Sequence, residues 1–352
     1  MFLLSTFVLM VSISTCKPFM HQNQIFRQSS LTSGMDVFNE DAYEKERLEK
    51  DTEAMSLMKQ TAESEYSKLR TPWKWVIRKQ IWDSMEAKNI ARSPRPVHHR
   101  IPNFEGADIA AENLSKLPEF LDAKCVKVNP DTPQKGVRYR VLKSGKTLLT
   151  PQPRLRTGFF SMLRAAQLPD GVTVDDVTTS KGVAQYGTPV TLNERYTVDL
   201  VVVGSTAVCP QSGARVGKGE GFAELEWGIL SLQGNLDAQK TLVVTTVHDE
   251  QVVPMPDASL TQHDVPVDII VTPTRVIHVP NRKPKPSGVF WELLSPQKLA
   301  QIRVLQQLKQ EIEIKAGQKL PNGPDEVLPP TASRGRKSNR KRNSKQSSQA
   351  KT

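Results

Sequence analysis

The stretch TVDLVVVGSTAVCPQSGARVGKGEGFAELEWGILSLQ, residues 197–233, decides how this chain folds. It opens on a short, nearly continuous run of β-branched residues, the pattern of a strand buried on both faces of a parallel sheet. It closes on AELEWGILSLQ, which reads as a helix. Between them, Gly217, Gly219 and Gly221 alternate in GKGEG. Glycines let backbone N–H groups approach an anion closely, and the N-terminus of a following helix adds a favourable field. Arg215 offers a planar fork for phosphate and Lys218 a positive head. A tight strand-to-helix turn needs glycines on its own account, however. Glu220, inside the loop, would repel a phosphate by roughly a few kcal/mol in a low-dielectric cleft.

The same alternation extends outward. PWKWVIRKQIWDSMEAKNIA (72–91) spaces Trp75, Val76, Ile77, Ile81, Trp82 and Met85 as on a helix, with Pro72 suited to its entry. Lys74 and Arg78, four apart, share one face of it. RSPRPVHHRIPNF (92–104) is a proline-punctuated loop with a basic cluster at His98, His99 and Arg100. ADIAAENLSKLPEFLDA is helical; KCVKVNP, VRYRVLKSG and KTLLTP read as strands. TLVVTTVH and VDIIVTPTRVI are further buried strands, and the second follows His263 and Asp264 and carries Thr272. A layered α/β domain over 72–280 is the expectation. NRKPKPSG is a stiff, charged linker. VFWELLSPQKLAQIRVLQQLKQEIEIKAG then reads as an amphipathic helix that docks on the core and stops at Gly317. The linker and helix together span 281–320.

The order of these motifs resembles the 5-formyltetrahydrofolate cyclo-ligase family. Its members carry a Lys-x-x-x-Arg helix near the start, matched here by Lys74 and Arg78. They have a glycine loop of the form G-x-R-L-G-x-G-x-G-Y-Y-D-R, matched from Gly213 to Leu225. A late segment like "hDvpVD.vvTe..vi" corresponds to His263–Val276. The resemblance implies a three-layer α/β fold with a Rossmann-like sheet (NagB/RpiA/CoA transferase-like). It also implies a reaction in which ATP and Mg2+ phosphorylate the formyl oxygen of 5-formyltetrahydrofolate before ring closure to 5,10-methenyltetrahydrofolate. On that reading Lys74, Arg78, Arg215, Gly217, Lys218, Gly219 and Gly221 bind the nucleotide, and Phe222 packs on the folate. The family's folate-site glutamate falls near Gly106–Asp108.

The departures lie at the chemistry. Glu220 stands where the family usually has glycine, and Tyr-Tyr-Asp-Arg becomes Phe222, Ala223, Glu224 and Leu225. Losing a cationic clamp removes a contact on which phosphoryl transfer depends. The expectation is therefore a divergent, non-catalytic cyclo-ligase-like protein with an RNA-binding or regulatory role. The alternatives are an active cyclo-ligase, with ATP and Mg2+ as cofactors, and an organelle-targeted folate binder without turnover.

The ends of the chain carry the rest. Net charge is +11 over 352 residues, while hydrophobic content is 38 %, low enough that polar segments must dilute a normal core. Such an excess suits polyanionic partners. Much of it sits in 321–352, read as a disordered basic tail, where Arg334, Arg336, Lys337, Arg340, Lys341 and Arg342 fall within nine residues without an acid. Runs of this kind bind phosphate backbones such as RNA, act as nuclear addresses, or simply solubilise. The resemblance extends to longer proteins that end in an RNA-recognition motif and so implies an RNA partner, but no RNP-like aromatic strands follow Pro330 here. Residues 1–35 begin with an apolar run too short to span a bilayer, readable as a signal or transit segment or as a plain extension. Residues 36–71 read as a charged helical linker. Three cysteines without metal-ligand spacing argue for reduced thiols. The expected location is cytoplasmic, with mitochondrial, nuclear and secretory alternatives, and oligomeric state is left open.

Overall fold

The computed structural model describes residues 71–152, 159–255, 260–326 and 328. The expected segment 1–35, nearly all of the charged linker 36–71 and the basic run 334–342 lie outside the described residues. Among the described residues, no helix is long and apolar enough to cross a membrane.

Helix α1 (Pro72–Ala87) starts with Pro72 in its first turn and buries Trp75, Ile81, Trp82 and Met85, as their spacing predicts, whereas Val76 of the same expected stripe is exposed. Two short antiparallel strands, β1 (Ala91–Arg92) and β2 (Asn103–Phe104), bracket the proline-punctuated loop. There follow α2 (Ala107–Ser115), α3 (Pro118–Asp122), β3 (Cys125–Val128), α4 (Lys135–Lys143), β4 (Thr147–Pro151) and β5 (Phe160–Leu163). Next come α5 (Val174–Val177), α6 (Ser180–Tyr186), β6 (Thr188–Val190), β7 (Leu200–Val203), β8 (Ala207–Val208) and β9 (Arg215–Val216). The chain continues with α7 (Phe222–Leu232), β10 (Leu242–Thr246), β11 (Ile269–Val271), β12 (Val276–His278), α8 (Pro296–Gln301) and α9 (Arg303–Ala316).

The eight-stranded sheet has the order β12-β11-β10-β7-β3-β4-β5-β6. Its middle, β11-β10-β7-β3-β4, is parallel, as the apolar runs predict. Its margins β12, β5 and β6 are antiparallel, so the sheet is mixed. Along β7, Val201 and Val203 pack into one core cluster and Leu200 and Val202 into the other. Helices cover both faces, which makes three layers. α7, α8 and α9 lie on the first face through Trp227, Leu230, Leu299 and Leu305. α2 and α4 lie on the second through Ala111, Leu114, Val137 and Val141. Each such fully buried Val or Leu contributes about 1.5–3 kcal/mol.

Two expectations are corrected. VRYRVLKSG is not a strand: it forms most of α4. Its Val and Tyr content suggests a strand, but Val137, Val141 and Leu142 make one helical stripe against the sheet. Within that helix the buried Arg138 donates to the carbonyls of Asn129, Asp131 and Thr178. The expected single helix over 289–317 is divided. Ser295 caps α8 through Lys298 N, and the fully buried Ile302 is extended between α8 and α9. The stop at Gly317 is as read, with φ +64°. Residues 321–326, at the start of the expected tail, run back along α8: Glu326 accepts from Ser295 Oγ at 2.6 Å and Gly323 N donates to Leu294 O at 2.8 Å.

Candidate functional site

Strand order reverses between β3 and β7: β4 follows β3 on one side, and β10 and β11 follow β7 on the other. In open α/β sheets, ligands bind at the carboxyl ends of the strands at such a point. Here a cleft of roughly 1170 Å3 lies there, lined by Asn129–Thr132 after β3, Gly204 after β7 and the whole segment Gly217–Glu224. Every residue expected to bind nucleotide lines it: Lys74, Arg78, Arg215, Gly217, Lys218, Gly219 and Gly221, as does Phe222. Neither Glu105 nor Asp108 does; Glu105 pairs with Arg92 at 2.6 Å.

Local geometry explains the glycines. Gly219 has φ +101°, and a Cβ there would lie 2.9 Å from the ring of Trp75. Gly221, φ +70°, begins α7 without a side-chain cap. The loop is thus pressed onto α1. Arg78 fastens it, donating from Nε to Gly217 O at 2.7 Å, with its guanidinium 4.4 Å from the Trp75 ring centre.

The charges, however, are satisfied by one another. Lys74 Nζ lies 2.6 Å from both oxygens of Asp264, and both residues are buried. Asp264 Oδ2 also accepts from Thr261 N at 2.8 Å. The buried Arg215 donates to Gly204 O at 2.6 Å and pairs with Glu224 through its other terminal nitrogen. Burial works against ionisation of Glu224, but Arg215, a backbone N–H and Lys74 outweigh it and hold its pKa at about 2. Lys218 sits 3.0 Å from Glu220 and 3.6 Å from Asp131. Burial pulls its pKa down, yet Asp131 and Glu220 leave it raised overall. At the loop, Lys74, Arg215 and Lys218 are therefore each paired with a carboxylate (Asp264, Glu224 and Glu220), with Asp131 beside Lys218, while Arg78 is held on Gly217 O.

Two features were not legible as site features. Lys298 of α8 donates to Glu220 O and lies 4.7 Å over the ring of Phe222, the residue expected to face a folate. Lys127 of β3 and Glu226 of α7 form a buried ion pair, and Glu226 lines the cleft. The one available signal was a lysine inside the apolar strand CVKV. Leu225, in place of the family's arginine, packs into the hydrophobic core.

These residues do not fit a magnesium–triphosphate group. Asp264 has both oxygens engaged by Lys74, and Glu224 is held by Arg215. Among the described residues, no three His, Cys, Asp or Glu side chains are placed to hold a metal ion. The expected RNA contacts Arg334, Arg336, Lys337, Arg340, Lys341 and Arg342 lie outside the described residues.

Known proteins resemble this chain over much of its length. The profile of the 5-formyltetrahydrofolate cyclo-ligase family matches residues 70–273. A methenyltetrahydrofolate synthase domain-containing protein of Bos taurus is 50 % identical over 268 residues, covering 72 % of this chain and 69 % of its own length. Proteins of the same name from Homo sapiens and Danio rerio are 48 % and 43 % identical. The matches cover 66 % and 69 % of this chain and 60 % and 63 % of those proteins' lengths, less than two thirds. The solved structure of Aquifex aeolicus 5,10-methenyltetrahydrofolate synthetase is 23 % identical, with a TM-score of 0.38, covering 60 % of this chain and 94 % of that one.

Proposed function

Because the chain belongs to the 5-formyltetrahydrofolate cyclo-ligase family, we propose that it keeps the family's cleft as a binding site and has lost the ATP-dependent ring closure. The observation that carries this reading is the internal pairing of the loop charges: Lys74 with Asp264, Arg215 with Glu224 and Lys218 with Glu220. A polyphosphate entering this end would have to displace carboxylates from cations in a desolvated site. Catalysis of phosphoryl transfer relies on unspent positive charge aimed at the transferred group. Leu225 adds none.

The test is a cyclo-ligase assay on the full chain with 5-formyltetrahydrofolate and Mg-ATP, following methenyl product by absorbance. A single-domain cyclo-ligase is the positive control and the Lys74→Ala, Arg78→Ala double variant the negative. The expected result is no product above the double variant. Product that vanishes in the double variant would instead establish an active cyclo-ligase, with Lys74 and Arg78 in the nucleotide site.

A separate RNA-binding or regulatory role rests on the six basic residues of 334–342. Removal of residues 332–352 is expected to weaken RNA retention in a filter-binding assay and to flatten its salt dependence. Equal retention with and without the tail would remove the tail from this account.

A further inference from the structure

Residues 321–326 cross α8 as a strap. They and α8 lie outside residues 70–273, the span that the family matches. The crossing is close: a Cβ on Gly323 would lie 2.7–2.9 Å from three backbone atoms of Leu293 and Leu294. The Gly323 N–H donates to Leu294 O at 2.8 Å. Gln297 of α8 grips the next residues, donating from Nε2 to Asp325 Oδ1 at 3.0 Å and accepting at Oε1 from Glu326 N at 3.2 Å. Lys309 of α9 donates to Pro321 O at 2.8 Å. Among residues 321–326, Gly323 is buried and the other five are exposed. Polar contacts rather than apolar burial therefore hold the strap, and the entropy lost in ordering its backbone offsets much of their contribution. Segments of this kind open locally while the rest of a domain stays folded.

One hydroxyl joins the strap to the helix that touches the glycine loop. Ser295 Oγ donates to Glu326 Oε1 at 2.6 Å and accepts from Lys298 N at 3.0 Å. Lys298 in turn donates from Nζ to Glu220 O and lies 4.7 Å from the ring centre of Phe222. Glu326 and Leu328 line a pocket of roughly 230 Å3 together with Lys298, Glu220, Trp75 and Leu225. Burial lowers the pKa of Lys298, and Glu220, Glu326 and Glu224 act against that. Departure of Glu326 would remove one of the carboxylates that keep Lys298 charged.

We propose that residues 321–326 are a releasable latch: docked, they hold Lys298 on Glu220 O and Phe222; released, they let the glycine loop move. Gly323 is its seat, because only a residue without a Cβ approaches the 293–294 backbone so closely. Lys298 is its link to the loop. Glu220 and Phe222 also line the cleft, so the latch makes the mobility of the cleft's loop depend on the C-terminal segment.

The inference goes beyond the proposed function and does not depend on it: methenyl product in the ligase assay would leave it standing, because its test reads loop motion. That test is amide hydrogen exchange of the full chain, followed by mass spectrometry, for wild type, Gly323→Ala, Lys298→Met and the double variant. In Gly323→Ala, residues 321–326 are expected to lose protection, and residues 217–224 to exchange about tenfold faster, the loss of one hydrogen bond to a charged group. Strands β7 and β10 should keep wild-type protection. Lys298→Met is expected to speed the loop by a similar factor while the strap stays protected. The double variant should speed the loop no more than either change alone, as coupled residues do. Should Gly323→Ala loosen β7 and β10 as well, truncation after Leu320 carries the same comparison. A strap that is released with no change in the loop, a strap that stays protected in Gly323→Ala, or additive effects in the double variant would each overturn the proposal.

Discussion

In an Arg215→Leu variant, stability at pH 7 is expected to fall by about 3–5 kcal/mol, the cost of leaving a buried charge without its partner. Arg215 is 4 % exposed, and its guanidinium spans from Gly204 O to the Glu224 carboxylate. The pH dependence identifies the cause. Glu224 is held at about 2 in the folded chain against an ordinary 4.5. A carboxyl with a depressed folded pKa stabilises in full above the ordinary value and loses that contribution as pH falls toward the folded one. A shift of that size corresponds to about 3 kcal/mol at roughly 1.4 kcal/mol per pH unit. Urea unfolding of the wild type should therefore show stability declining from pH 4.5 toward 2. The variant should lose that decline, because its carboxyl no longer gains from ionising. A variant within about 0.5 kcal/mol of wild type at pH 7, the range of an ordinary surface change, would show that the pair does not hold the loop.

Gly213→Ala is the second large effect. Gly213 has φ +70°, and a Cβ on it would lie 2.3 Å from the carbonyl oxygen of Val267. The neighbour is backbone, tied in return by Val267 N to Gly213 O at 2.9 Å, so it cannot swing aside. Left-handed strain of about 1–2 kcal/mol adds to an overpacking cost of about 1–3 kcal/mol. A loss of roughly 2–5 kcal/mol in chemical denaturation is expected. Alanine tolerated without loss would contradict the close approach of the two chain segments. This glycine begins the motif that suggests a phosphate loop, yet its role here is to let two backbones touch. Motif glycines can thus survive for packing when ligand chemistry has changed.

Most of the fold was legible in local patterns. The apolar runs of β3, β4, β7, β10 and β11 mark a buried sheet, and the spacing of Trp75, Ile81, Trp82 and Met85 marks α1. VRYRVLKSG misled because β-branched and aromatic residues also occur on a helix whose one face is buried. The break at Ile302 was hidden for a similar reason: a buried apolar residue fits a helical stripe whether or not its backbone is helical. The Ser295-Pro296 signal for a fresh helix start was the local hint.

The sequence by itself determined which residues gather at the cleft. Lys74 and Arg78 share a helix face because they are four apart, and the glycine loop joins a strand to a helix because its glycines permit that turn. Tertiary structure alone decided what those residues have left to offer. Asp264 is 190 positions from Lys74, Glu226 is 99 from Lys127 and Lys298 is 78 from Glu220. No local pattern reports whether a cation keeps its charge for a ligand or has spent it on a carboxylate brought in from a distant part of the chain. That depends on distances of a few ångströms set by the packing of the sheet, because electrostatic interaction in a desolvated site rises steeply with proximity and with the loss of water.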